Sequence, residues 1–140
     1  MQIDTSSLGK AILKLTTNSR LLSDVDQQKS EIKGAYEDAC IQAFEYTYEL
    51  CHKFLKRHLE QTESSSEEID KMSFPDLIRK GAEKGLLLSS WDKWTIYRMA
   101  RNKTSHTYDG EIAQTVLNVI PDFIEEARYL YSKMNGRIDE

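Results

Sequence analysis

Arg101, Asn102, Lys103, Thr104, Ser105, His106, Thr107 and Tyr108 bring a guanidinium, an imidazole and a phenol into one stretch of eight residues. An arginine offers a permanently charged planar fork suited to phosphate oxygens, and a histidine, with an unperturbed pKa of about 6.5, moves protons around neutrality. Together they have the chemistry to cleave a phosphodiester without a metal ion. Spacing alone leaves this open, because an arginine and a histidine five residues apart recur by chance and equally fit a surface turn or a helix cap. Tyr108 stands among Thr107, Asp109 and Gly110, all turn-like or polar. Its hydroxyl has a phosphate to bond in a cleft, or its ring a neighbour to pack on.

The other chemically capable residues favour structural roles. His52 and His58 are six apart on one expected helix, about 240° around its axis, so a regular helix cannot bring both to one metal. Cys40 and Cys51 are separated by roughly 16 Å along the same helix, too far for a disulfide, and their company of Ala43, Phe44 and Leu50 suits small buried thiols. No zinc spacing is present. Lys53, Lys56 and Arg57 form a basic patch of the kind that is usually a solvated helix face. Trp91, Trp94, Tyr97 and Met99 recur at helical spacing and read as core or dimer packing rather than as a base-stacking platform.

These residues must be positioned by helices. In 140 residues valine occurs three times while leucine and isoleucine dominate, and proline and glycine are scarce, a balance that disfavours many short strands. Apolar recurrence marks a helix from Thr5 to about Asp26, with Thr5 or Ser6 as its cap. A central helix spans roughly Lys29 to Gln61 and carries two adjacent stripes, Tyr36, Cys40, Ala43, Thr47, Leu50, Phe54 and Phe44, Tyr48, Cys51, Leu55, Leu59. Residues 60–72 are acidic, serine-rich and aperiodic, and read as a mobile loop. Ser73 before Phe74, Pro75 and Asp76 opens a short helix that closes near Gly85. The next begins after Ser89 or Ser90 and frays around Lys103 to Ser105. The last runs from about Glu111 to Asn135, with a kink or a junction of two helices at Pro121 and a cap at Gly136. The fold class is all-α, an antiparallel bundle of four to five helices in one domain over residues 1–140.

Charge narrows the function. Nineteen basic against 23 acidic residues give a net charge of −4, which argues against a broad nucleic-acid surface. From Trp91 to His106, however, Lys93, Arg98, Arg101 and Lys103 oppose only Asp92, so a local basic cleft is expected. No run of about 18 apolar residues and no leader-like start is present, and the expected location is cytoplasmic.

Arg101 to His106 matches the R-x4-H motif of HEPN-domain proteins, and Tyr108 extends it to the R-x4-H-x-Y form of the toxin branch paired with minimal nucleotidyltransferases. Phe44 to Leu50 followed by Lys53, Leu55, Lys56 and Leu59 resembles that family's long second helix. Asp4 to Leu15, Ile78 to Leu86 with its Gly85, and the Ile120-Pro121 break also fit, so the resemblance covers most of the chain. It is closest to the group labelled nucleotidyltransferase substrate-binding proteins.

The resemblance implies a HEPN-like homodimer in which two R-x4-H motifs face one cleft, and a metal-independent endoribonuclease that needs no cofactor. Arg101 would hold the scissile phosphate of an RNA substrate, His106 would act as general base or acid, and Asn102 would orient the phosphate or His106. Products would end in 2′,3′-cyclic phosphate. A minimal nucleotidyltransferase partner is implied as antitoxin, with Tyr108 as acceptor of transferred adenylyl groups. The alternative implied by the same group is a non-catalytic subunit that presents nucleotide or substrate to a catalytic nucleotidyltransferase.

Overall fold

The computed structural model describes residues 3–25 and 30–135, and among them all regular structure is helical. Six α-helices, α1 (Ser6–Asp24), α2 (Ser30–Thr62), α3 (Ser66–Asp70), α4 (Phe74–Glu83), α5 (Trp91–Asn102) and α6 (Gly110–Met134), are joined in part by a single 3₁₀ turn at Thr104–His106. The expected helical bundle is therefore present, with one more helix than anticipated. Asp26, Lys29 and Gly136, expected at helix ends, lie outside the described residues.

α2 is the spine. Its 33 residues extend about 50 Å at 1.5 Å each, and both expected stripes are buried from Cys40 to Leu59. A face that wide cannot be covered by one neighbour, and α1, α3, α4, α5 and α6 all pack on it. α1 contributes Leu8, Ala11, Ile12 and Leu15 to the core. Gly9 permits α6 to close over α1, because a Cβ there would lie 2.8 Å from the Tyr131 hydroxyl oxygen. The two ends of the described chain also meet, Thr5 donating its hydroxyl to Asn135 Oδ1 at 2.7 Å. Thr5 is thus diverted from capping α1; Asp4 instead accepts from the Ser6 amide at 3.0 Å.

The side of the core nearest α5 is aromatic. Phe44 meets Phe123 edge-on at 5.0 Å between ring centres, and Trp94 meets Tyr97 at 5.2 Å, the T-shaped geometry that ring quadrupoles favour. Trp94 and Tyr97 are core residues as expected, while Met99 and Ile96 face outward, 53% and 48% exposed. Cys40 and Cys51 are both buried thiols, and burial pushes Cys40 up to about 11.

Two elements depart from the sequence expectation. The segment over 60–72 is not aperiodic throughout: α2 continues to Thr62, and Ser65 caps α3 by accepting from the Glu68 amide at 3.3 Å. Ile69, 2% exposed, anchors that short helix. Its acidic neighbours find cations elsewhere in the chain, Glu63 with Lys80 and Lys84, Asp70 with Lys56. At Pro121, of the kink or junction expected there, the junction does not occur: α6 runs through it as one helix. Pro121 lies on the exposed face, and its missing N–H removes one bond of the helix without ending it.

α4 behaves as its sequence implies. Ser73 accepts from the Asp76 amide at 3.3 Å, and the helix closes with Gly85 at φ +75°, the Leu86 amide reaching back to the Gly81 carbonyl at 2.9 Å. That left-handed residue favours glycine. Beyond it, Glu126 of α6 is fully buried and accepts from the Leu88 and Ser89 amides at 2.9 and 3.1 Å through one oxygen and from the Tyr97 hydroxyl at 3.3 Å through the other. A single carboxylate thereby ties the loop before α5 and the middle of α5 to α6, and so sets where α5 ends.

Candidate functional site

The R-x4-H motif occupies the last turn of α5 and the corner beyond it. The Lys103 amide bonds the Ala100 carbonyl, the Thr104 hydroxyl the Arg101 carbonyl at 2.9 Å, the His106 amide the Lys103 carbonyl and the Thr107 hydroxyl the Thr104 carbonyl. Small hydroxyl side chains thus satisfy carbonyls that a helix end leaves open, and the chain turns tightly enough to present His106 two residues before Tyr108. Asp109 then caps α6, accepting from the Glu111 and Ile112 amides.

Arg101 is held firmly. Its Nε–H donates to Glu49 Oε2 at 2.6 Å, and Nη1 lies 3.4 Å from Glu45 Oε2, both carboxylates projecting from α2 one helical turn apart. The guanidinium has five N–H donors, so the outer edge remains for an oxyanion. His106 is exposed, and its ring stands edge-on to that of Tyr108 at 6.1 Å. Tyr108 is 87% exposed. Asn102 is exposed as well, and its side chain has no partner among the described residues. All four expected site residues therefore gather at one corner of the bundle. Among the described residues, no hydrogen bond or ion pair joins Arg101 to His106.

Beside this corner is a notch of about 460 Å³ walled by Thr104, Thr107 and Tyr108 from the turn and by Asp38, Ile41, Gln42 and Glu45 from α2. Its walls do not include Arg101 or His106. Beside it, Arg101 is half-buried and His106 exposed.

Glu45 and Glu49 are the site residues that sequence reasoning left without a role. They also correct the expected electrostatics. Arg101 is balanced by these two, Lys93 pairs with Asp122, and Arg98 lies over the Phe74 ring at 5.3 Å. The basic run from Trp91 to His106 meets carboxylates from α2 and α6, so most of its local positive charge is compensated.

Other candidates take structural places. His52 is half-buried against Phe74 at 4.7 Å, and burial lowers its pKa, as it does that of His58. Among the described residues, no three His, Cys, Asp or Glu side chains are grouped so as to hold a metal ion, and no helix is long and apolar enough to cross a membrane.

Comparison with known proteins matches this architecture. Residues 4–136 fit the family model described as nucleotidyltransferase substrate binding protein like. The chain is 38% identical over 112 residues to the Haemophilus influenzae protein named "Probable ribonuclease HepT", covering 80% of this chain and 76% of that one. It superimposes with a TM-score of 0.89 at 34% identity on HI0074 of H. influenzae, described as a substrate binding domain of a nucleotidyltransferase, over 94% of this chain and 99% of that one. A Thermus thermophilus crystal structure matches with a TM-score of 0.70 at 25% identity, over 91% and 98% of the two chains.

Proposed function

Since the chain belongs to the nucleotidyltransferase substrate binding protein like family, we propose that it is a metal-independent endoribonuclease toxin, acting in the cytoplasm as a homodimer and controlled by a partner nucleotidyltransferase. The observation that carries this reading is a positioned cation close in the chain to an exposed imidazole: Arg101 fixed by Glu49, and His106 exposed on the next turn. The relative named as a ribonuclease supports it.

In this reading Arg101 neutralises a non-bridging oxygen of the scissile phosphate. His106 removes the proton of the ribose 2′-hydroxyl or protonates the departing 5′-oxygen; the 2′-oxygen forms the new P–O bond as the bond to the 5′-oxygen breaks. One chain supplies one imidazole, and a two-step acid–base exchange is served better by two. A second copy related by a two-fold axis would supply it, with Ile96 and Met99 on the outward face of α5 that also carries Asn102 as apolar contact. In this reading Asn102, whose amide has no partner among the described residues, orients the phosphate.

The test is incubation of the purified protein with total cellular RNA in EDTA, alongside Arg101→Ala and His106→Ala. Cleavage to 2′,3′-cyclic phosphate ends by the wild type alone is expected. Equal cleavage by either variant overturns the assignment.

A second reading, a non-catalytic subunit presenting substrate to a nucleotidyltransferase, is favoured by the description of the structural relative HI0074 and by an Arg101 already balanced by two carboxylates. Tight complex formation with the nucleotidyltransferase and no RNA cleavage would decide for it.

A further inference from the structure

On the other side of the α2 crest from the R-x4-H corner lies a groove of about 560 Å³ between α1 and α2, within the size range of small-ligand sites. Its composition is specific. α1 contributes Ser7, Lys10, Lys14 and Asn18 at helical spacing; α2 contributes Gln42 and Tyr46; and Ala11, Ala39 and Ala43 form its floor. Alanines at the floor keep it low and leave the long polar side chains as walls. No carboxylate lines it. Neither Lys10 nor Lys14 makes an ion pair among the described residues; the Asp4 carboxylate feels Lys10 but is bonded to the Ser6 amide. Lys56, Lys80, Lys84, Lys93 and Arg101 have carboxylate partners, whereas Lys53, Arg57, Lys71, Lys103 and Lys133, like Lys10 and Lys14, have none among the described residues. What sets Lys10 and Lys14 apart is that both line one groove with no carboxylate in its walls, which makes it a place for anionic charge. Tyr46 adds a ring that is 58% exposed.

We propose that this groove binds a nucleotide unit of a single-stranded RNA whose scissile phosphate lies at Arg101, with phosphate oxygens on Lys10 and Lys14 and the base stacked on Tyr46. This rests on the nuclease reading and deepens it. Connection is provided by Gln42, which lines both the groove and the notch walled by Thr104, Thr107 and Tyr108. A strand leaving the motif corner crosses α2 at Gln42 and descends into the groove. The notch also carries Asp38 and Glu45, which repel phosphate, so there the strand presents sugar hydroxyls or base amino groups that carboxylates accept from. Alternating repulsion and attraction fixes the register of the backbone. Aromatic stacking plus backbone cations is the usual chemistry of sequence-tolerant single-strand binding.

The test measures anisotropy of a fluorescein-labelled 12-nucleotide RNA of mixed sequence on full-length His106→Ala protein, which separates binding from cleavage. Lys10→Gln with Lys14→Gln should weaken binding about tenfold or more and flatten the log–log salt slope by roughly 1.4, about 0.7 for each phosphate that is no longer neutralised. Tyr46→Ala should weaken it about fivefold or more, leave the salt slope unchanged and be rescued by Tyr46→Phe. Lys71→Gln with Lys133→Gln removes the same charge outside the groove and should change little. Unchanged affinity in the groove variants, or equal loss in the control pair, overturns the proposal. Weakened AMP binding in the groove variants without any oligonucleotide effect also overturns it, by assigning the groove to a free nucleotide. If the groove variants lose RNA while the wild type cleaves none, the groove stands and the nuclease reading falls.

Discussion

Arg101 donates its Nε–H to Glu49 at 2.6 Å across 52 residues of chain, so the residue best suited to hold a phosphate is itself held by α2. The pair is partly solvent-exposed, and its contribution to stability is small. On the nuclease reading its consequence for catalysis is larger, because a guanidinium on a free four-bond side chain would have to be reordered in every turnover. On that reading the same carboxylate adds negative charge where RNA would approach.

These two effects predict a split in kinetics. Glu49→Gln keeps an acceptor oxygen for Arg101 but removes the charge, and should lower KM severalfold with little change in kcat. Glu49→Ala frees the guanidinium and should lower kcat about tenfold or more. Steady-state cleavage of a labelled RNA checks both, and an alanine variant with wild-type kcat and KM would show that Glu49 does not position Arg101.

Much of this arrangement was legible because its signals are local. The two stripes of α2, the Ser73 cap with Pro75, the Gly85 close and the Asp109-Gly110 start each depend on residues within a turn or two, and each stands as read. The partners of Arg101 and Lys93 were not legible, since Glu45, Glu49 and Asp122 reach them from other helices. The same holds for Glu126, an acid on an apolar face that periodicity alone would treat as an interruption. α3 was missed because one buried side chain, Ile69, and one serine cap are too little pattern to separate from a loop.

Glu126 yields the second prediction. It is fully buried and serves three donors, so truncation leaves two backbone amides without an acceptor and the Tyr97 hydroxyl with only the Asp122 carbonyl at 3.5 Å. Glu126→Ala should cost about 3 kcal/mol or more, and Glu126→Gln, which retains one acceptor oxygen, about 1–2 kcal/mol. Urea unfolding measures the loss, and hydrogen exchange at the Leu88 and Ser89 amides should rise in both. Unchanged protection at those amides would mean that the carboxylate is not their anchor.

The third prediction is a pH dependence. Burial lowers the pKa of His52 and of His58 from the ordinary 6.5, so the folded chain resists protons that the unfolded chain accepts. In the window from about 6.5 down to the depressed folded values the unfolded state binds more protons, and stability falls as pH falls. Urea midpoints should therefore be lower at pH 5.5 than at 7.5, and the difference should shrink in a His52→Gln, His58→Gln protein. A wild-type midpoint that stays level or rises on acidification would contradict this sign.

The fourth concerns assembly. Ile96 and Met99 are 48% and 53% exposed one turn apart on α5, beside the uncommitted Asn102. If this face joins two copies, light scattering at micromolar concentration should give about twice 16.2 kDa, and Met99→Glu should return the chain to monomer and abolish cleavage without lowering its melting temperature. A monomeric wild type that cuts RNA would exclude a shared cleft.

The last concerns control, and it turns on the exposure of Tyr108. At 87% exposed and with no hydrogen-bond partner among the described residues, its hydroxyl is available to an incoming enzyme, while its ring stands 6.1 Å from that of His106. A nucleotidyltransferase using ATP and magnesium would form a bond from the Tyr108 oxygen to the α-phosphorus and release pyrophosphate. Each adenylyl group adds phosphate charge and a bulky nucleoside beside His106, so RNA phosphate is opposed by charge and by volume. Intact-mass spectrometry after incubation with the partner should show added adenylyl mass on the wild type and none on Tyr108→Phe. The modified protein should lose cleavage while the Phe variant, which keeps the ring, stays active in the partner's presence. Equal mass gain by the Phe variant would place the acceptor elsewhere, and loss of activity in the Phe variant on adding partner alone would show that binding, not adenylylation, silences the site.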